Sequence, residues 1–537
     1  MSRFPGLTRR ALLAGVAAFS LLALFPALPA FAAEGEGGTL KIAVFPEPTN
    51  LVSLATSGGG DRLVSGKVVE GLLTYDFDLN PKPQLATQWS VSPDGLEYTF
   101  KLRPDVKWHD GQPFTSQDVA YSLLQAKEIH PRGRATFANV KEVRTPDPLT
   151  AVVVLSAPAP YLLNALAAAE TPIVPRHIYA QGDARVNPAN QAPIGTGPFR
   201  FKEWVKGSHI VYERNPDYWD AGKPKIDRLI VRIIPDASAR AAALESGELD
   251  LAGGNPVALS ELQRFTTLPN LAVTTEGNNY QPQQVQLEFN VSNPYFKDER
   301  VRQAVALALD RKTIVDTIYF GYAIPAPSPI SPLDARFYDE TVESYPLDLK
   351  KSDELLDAAG FPRGKDGKRF AVTLDYNPFA PERLQLAYYI KQALAKVGVD
   401  VTIRTQDFPT FVKRVYTDRD FDFEINGLSN IVDPTVGVQR AYWSKNISRG
   451  VPFSNGSGYS NPEVDRLLEA AATEPSPEKR KELFNQFQQI IAREVPLINL
   501  VTKLSATVYN KKVQDHTVTG DGLEGNFADV RISAPAK

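Results

Sequence analysis

An α/β fold is what this sequence predicts, and three observations carry the prediction. From Thr39 onward, short β-branched runs alternate with stretches of helical periodicity, which argues against an all-helical or an all-β chain. Two of these alternations read as complete units. In the first, residues 239–245 are helical, Gly247 ends the helix, and residues 249–252 return as a strand. In the second, Phe370–Tyr376 is a strand and Pro381 sits at a helix start. Leu384, Ala387, Leu394 and Val397 then share one helical face, and Gly398 takes the left-handed cap. Val399, Val401 and Ile403 alternate with Asp400, Thr402 and Arg404 as a second strand, which completes a βαβ crossover.

The remaining elements follow from the same periodicities. An Ala-rich stretch at 162–169 reads as buried helix, and 285–290 reads as a strand. Asp298 is placed to cap a helix in which Val301, Val305 and Ala308 recur on one face. Residues 323–332 are a Pro-rich loop, and 348–359 and 478–493 are amphipathic helices. The latter stops near Val495 and Pro496, ahead of an apolar strand at 497–501.

The N-terminus reads as an export signal. Arg3, Arg9 and Arg10 precede an apolar stretch at 11–31, no acidic residue occurs before Glu34, and Ala30-Phe31-Ala32 favours cleavage after Ala32. Gly15, Pro26 and Pro29 interrupt the stretch, which argues against a permanent membrane anchor. Arg9-Arg10 resembles a twin-arginine signal but lacks the usual Phe, so a Sec route stays open. The absence of cysteine excludes a lipobox anchor, disulfides and thiolate metal sites. A periplasmic location follows, with stability drawn from core burial in a chain long enough for two or three domains. A net charge of -3 without a polybasic run gives no footprint for nucleic acid.

Five motifs occur in a recognisable order: WHDGQPFTSQDVAYSL at 108–123, IGTGPF at 194–199, NPDYW at 215–219, ALESGELD at 243–250 and LEFNVSNPYFKDERVRQAVALALDRKTIV at 287–315. Together they resemble the family 5 extracytoplasmic solute-binding proteins, the capture components of ABC importers for oligopeptides, dipeptides, nickel chelates, opines and some sugars. The resemblance spans essentially the whole mature chain. It implies a monomeric two-lobed periplasmic binding protein of type II, in the large cluster with an extra subdomain. Lobe one would take 33–290 with an insert at about 76–184 away from the cleft, lobe two 291–499, and 500–537 would return to lobe one. It also implies membrane permease subunits and a separate ATPase as partners, and no cofactor. The alternatives are a non-transport sensing or chaperone-like protein on the same scaffold, or a secreted hydrolase.

The sequence carries no signature of catalysis. Gly60 and Gly66-Lys67 have the wrong spacing for a phosphate loop, and Val68 stands where that loop needs a hydroxyl. The five histidines are scattered singly, without the pairing that zinc sites use. Gly456-Ser457-Gly458 does not make a nucleophile elbow.

The site residues come from the resemblance and from residue chemistry. A ligand loop would precede Glu70-Gly71-Leu72-Leu73 and present Ser57, Gly58 and Gly59, where glycines admit backbone N–H groups close to an oxygen of the ligand. Tyr280, in the segment 278–280, is a candidate for stacking. The resemblance assigns the second ligand loop to 426–434, with Asn426, Leu428, Ser429, Asn430 and Asp433 as candidates. Peptide-binding relatives carry an Asp four residues before the Pro of that loop, to pair with the peptide's ammonium. This chain has Asn430 there, which disfavours ordinary peptides and favours a polar solute such as an opine, a sugar derivative or a blocked peptide. Tyr442 and Trp443 read first as core.

Overall fold

The architecture is that of a computed structural model which describes residues 37–533 except Asn278 and Val432. The leader at 1–32 and its cleavage site lie outside the described residues, as do those two members of the candidate loops.

Thr39–Val44 alternates apolar and polar residues, buries the apolar set, and pairs in parallel along its whole length with Arg228–Ile233. Around this pair a seven-stranded sheet is ordered Leu271–Thr274, Thr507–Asn510, Leu251–Ala252, Thr39–Val44, Arg228–Ile233, His209–Arg214, Phe199–Val205. A second, six-stranded sheet runs Ala323–Pro325, Leu497–Lys503, Gln283–Phe289, Phe423–Ser429, Phe370–Tyr376, Val399–Arg404. Each sheet has its own apolar core, one gathered around Leu40, Ile42 and Leu229 and the other around Leu287, Leu374 and Leu500. These are the two lobes.

The βαβ unit forms as read. Phe370–Tyr376 and Val399–Arg404 are parallel, and helix Glu382–Lys396 buries Leu386, Ile390 and Leu394 between them. Gly398 has φ 81°, a conformation glycine adopts without penalty. Asp298 caps helix Glu299–Leu307 by accepting from the Arg300 amide at 2.9 Å, and Val301, Val305 and Ala308 are buried.

Three expectations are corrected. Gln283–Phe289 lies wholly in the second sheet, hydrogen-bonded on both sides, so the chain crosses at 275–282 and returns at 504–506 rather than at 290 and 499. The buried helix read at 162–169 forms only in part: a six-residue 3-10 helix, Pro160–Ala165, begins at a proline and buries Tyr161, Leu162 and Ala165, and 166–169 is not helical. The insert, built on a four-stranded sheet of Ala86–Val91, Glu97–Leu102, Thr150–Leu155 and Val140–Asp147, does not stay away from the cleft. Its Asn164 donates to Asp433 at 2.9 Å and accepts from Arg336 at 3.2 Å, both in lobe two.

Three of the motifs meet at one buried point of lobe one. Glu70 accepts from Thr196 Oγ1 (2.9 Å), Tyr218 Oη (2.7 Å), Trp219 Nε1 (2.9 Å) and Asn526 Nδ2 (3.2 Å). IGTGPF and NPDYW are thereby tied to the C-terminal segment, while His109 of the first motif bonds the Gly197 carbonyl at 2.9 Å. Gly195 is obligatory, since a Cβ there would stand 1.8 Å from the Val68 carbonyl oxygen. These three motifs therefore tie lobe one together around a single buried carboxyl.

Candidate interlobe binding site

Where the chain crosses between lobes, the sheet of lobe two ends on Gln283, Ser429 and Lys503, which are laterally paired. Facing them from lobe one is helix Gly59–Ser65, which brings Arg62 into the cleft one turn after the Ser57-Gly58-Gly59 loop. Asp61 holds that loop by accepting from the Thr49 and Asn50 amides at 2.6 and 2.9 Å and from Thr56 Oγ1 at 2.8 Å. Two adjoining cavities of about 270 Å³ each share Arg62, Gly254 and Ser505. One is lined by Gly59, Gly60 and Glu524 within lobe one; the other reaches Gln281, Gln283, Ser429 and Lys503.

Two charged groups, Arg62 and Glu524, stand in the lobe-one lining, and a second ion pair lies near them. Arg62 donates to both oxygens of Glu524 at 2.9 and 2.8 Å and to the Ser57 carbonyl. Burial acts to lower the Arg62 pKa, but Glu524, with Glu170 and Asp61 beyond it, outweighs burial and holds it above the ordinary value. Arg132 of the insert forms a two-pronged pair with Glu170, with its Nε at 2.8 Å, and Gln281 of the crossing segment donates to the same carboxylate at 2.9 Å. Burial opposes the Glu170 charge, yet Arg132 keeps its pKa low. His130, between these groups, is pushed down to about 4 by burial and is neutral. On the lobe-two side Lys503 pairs with Glu382, and Arg440 bonds the Ser429 carbonyl at 3.3 Å.

The sequence candidates separate into two groups. Gly59 and Ser429 line the cavities, Ser57 and Gly58 directly precede Gly59 in the chain, and half-buried Asn430 is fixed by its amide on Pro282 O (2.8 Å) and its side chain on Pro329 O (3.1 Å). The other four are engaged within the fold. Tyr280 is buried, stacks on Tyr75 at 5.1 Å and donates to the Asn164 carbonyl at 2.8 Å. Asn426 donates to Tyr416 Oη at 2.8 Å and accepts from Asn377 at 3.0 Å. Leu428 packs in a core with Tyr442 and Phe487.

Asp433 accepts both prongs of Arg480, one at 2.7 Å, in a pair with side chains only 0% and 4% exposed. It also caps the short helix Pro434–Gly437. Burial works against its charge, but Arg480 keeps its pKa below the ordinary range. Arg62, Arg132, Glu170 and Arg440 were missed. Arg62 was legible as the first cation after the glycine loop, and Arg440 lies just past the candidate segment 426–434; Arg132 and Glu170 come from the insert and leave no local signal.

Among the described residues no group of three ligand-type side chains could hold a metal ion, and no helix is long and apolar enough to cross a membrane. Comparison with known proteins decides the family. Residues 80–450 match the model for bacterial extracellular solute-binding proteins, family 5 Middle. This chain belongs to that family. A putative ABC transporter peptide-binding protein of Brucella ovis is 33% identical over 468 residues, 85% of each chain. The periplasmic binding protein DppA of Helicobacter pylori, solved in complex with the peptide STSA, superimposes with a TM-score of 0.75 at 27% identity, covering 93% of this chain and 99% of that one. NikZ of Campylobacter jejuni, solved with Ni(L-His), gives 0.75 at 27%, covering 91% and 97%. Family 5 members are thus receptors on one two-lobed scaffold that hold chemically unlike ligands, and this chain is a solute-binding receptor of an ABC importer.

Proposed function

We propose that this receptor is exported to the periplasm, matured after Ala32, and captures one small polar organic solute in the interlobe cavity for delivery to a permease. The observation that carries the reading is the cavity lined from both lobes at the chain crossing, by Arg62 and Gly254 on one side and Ser429 and Lys503 on the other. A ligand there contacts both lobes only when they are closed, so binding shifts the population toward the closed shape that the permease reads. Ser57, Gly58, Gly59, Ser429 and Asn430 are its proposed contacts. Tyr280, Asn426, Leu428 and Asp433 frame the site instead, because their side chains are already engaged.

The solute is peptide-like, an opine or a sugar derivative. The neutral Asn430 disfavours a free ammonium, whose burial would go uncompensated. A thermal-shift screen of a broad solute panel tests this. One ligand class should stabilise the protein by about 2.7 kcal/mol at a hundredfold excess over its dissociation constant, without turnover. A panel with no stabilising solute, or chemical conversion of a bound one, overturns the proposal. N-terminal sequencing of the periplasmic species should start at or near Ala33.

A further inference from the structure

We propose that the captured solute has two parts, a polar head held where the chain crosses and an apolar group, aromatic or branched alkyl, seated in the lobe-one cavity, with Gly59 setting how large that group can be. This rests on reading the interlobe cavity as the ligand site. The two cavities of about 270 Å³ each are joined at Arg62, Gly254 and Ser505, yet their walls differ in kind. The one at the crossing offers hydroxyl and amide groups, from Asn255, Thr275, Gln281, Gln283, Ser429 and Ser505. Its two cations are already matched, Arg62 by Glu524 and Lys503 by Glu382, so it presents hydrogen bonding rather than unbalanced charge. The lobe-one cavity is walled instead by Phe45, Pro46, Leu63 and Leu523.

Of these four, Phe45 and Leu63 are only half-buried and Pro46 is exposed, so apolar surface is left uncovered in the wall. Covering it with an apolar group is favourable in proportion to the area removed from water. The glycines of the same cavity say where that group goes. At Gly60 a Cβ would stand 2.8 Å from the Pro46 carbonyl oxygen, and Gly253 leaves room for Leu523, whose Cδ1 is 2.3 Å from where a Cβ would be. Gly254 has φ 73°, which favours glycine. None of these reasons applies to Gly59. It is the first residue of helix Gly59–Ser65, and a Cβ there meets nothing within 4 Å. What glycine supplies at 59 is open space in the cavity wall. Gly59 and Leu63, four residues apart, share a helix face, so a longer side chain at 59 would lie over Leu63 and occupy the place of the apolar group.

A lobe-one cavity that closes on itself without an occupant makes the opposite prediction: affinity would follow the polar head alone. Calorimetry on the purified mature protein separates the two, using neutral probes matched in the head and added to the solute panel: N-acetyl-phenylalaninamide and N-acetyl-leucinamide against N-acetyl-glycinamide, and phenyl glucoside against methyl glucoside. The expected result, in whichever series binds, is that the member with the apolar group binds about 10- to 100-fold more tightly. Gly59→Leu should bring that ratio near one with the unliganded Tm preserved, and Gly59→Ala should keep part of it. If Gly59→Leu does not fold, the ratio in the native protein and in Gly59→Ala decides. A ratio near one in the native protein, a ratio unchanged by substitution, or a panel in which another solute binds and neither series does overturns the two-part assignment while the receptor reading stands. A panel with no binder at all removes the receptor reading, and this inference with it.

Discussion

In lobe one Glu70 lies among five side-chain donors, those of Gln84, Thr196, Tyr218, Trp219 and Asn526, whereas in lobe two Glu288 and Glu424 are directly opposed across the antiparallel ladder of Gln283–Phe289 and Phe423–Ser429. All three carboxyls are buried, and burial pushes each pKa up. The neighbours then act in contrary senses. Around Glu70 the hydroxyl, indole and amide donors pull the pKa back down, since they favour the ionised form. At Glu424 the charge of Glu288 adds to burial, so the pair retains a proton above the usual carboxylate range. Burial alone does not define the role of an acid; the count of donors against acceptors around it does.

The largest effect is expected at a third buried acid, Asp433, whose charge is matched by Arg480. Asp433→Asn strands the guanidinium and should cost about 3–5 kcal/mol in chemical denaturation. Because the folded pKa of Asp433 is depressed, its contribution is present above the ordinary carboxylate range and lost as pH falls, so the variant should show a shallower acid limb. Unchanged stability with weakened ligand binding would return Asp433 to the ligand site.

The same substitution made in each lobe tests the comparison directly. Glu70→Gln turns an acceptor into a donor facing donors and should destabilise by about 2–3 kcal/mol. Glu424→Gln should act in the other direction. The raised pKa of the pair means that the folded state binds more protons than the unfolded chain, so the native protein loses stability as pH rises above the carboxylate range. Removing one acid should therefore stabilise by about 1–2 kcal/mol above neutral pH and flatten that slope. Equal signs for the two variants would break the contrast.

The smallest effect on stability is expected at Asn430. Asn430→Asp should change stability by less than about 0.5 kcal/mol, yet tighten an unmodified dipeptide such as Ala-Ala about tenfold by supplying a charge for its ammonium. Calorimetry without such a gain shows that Asn430 is not the discriminating position.

Much of the fold was legible because it rests on local periodicity. The 370–404 crossover, the Asp298-capped helix and the strand before it each follow from residues close in sequence whose spacing matches one element. The buried helix read at 162–169 is realised only as the 3-10 helix Pro160–Ala165, because small apolar residues suit a buried turn as well as a buried helix, and Pro160 with tertiary packing decides between them. The lobe boundaries were displaced because a central strand reads alike in either sheet; only its partners, Phe423–Ser429 and Leu497–Lys503, assign it to lobe two.

By itself the sequence determined the family, the α/β class and the two loops that flank the cleft, since these depend on motif order and on glycines and turns that act locally. Tertiary structure decided which candidates line the cavities. Tyr280, Asn426, Leu428 and Asp433 are the right types of residue in the right segments, but each satisfies its hydrogen bonds, packing or charge within the protein. Arg62, Arg132 and Glu170 are placed by ion pairs between segments well separated in the chain. Electrostatic balance is a property of distances in space, and no spacing in the sequence encodes those.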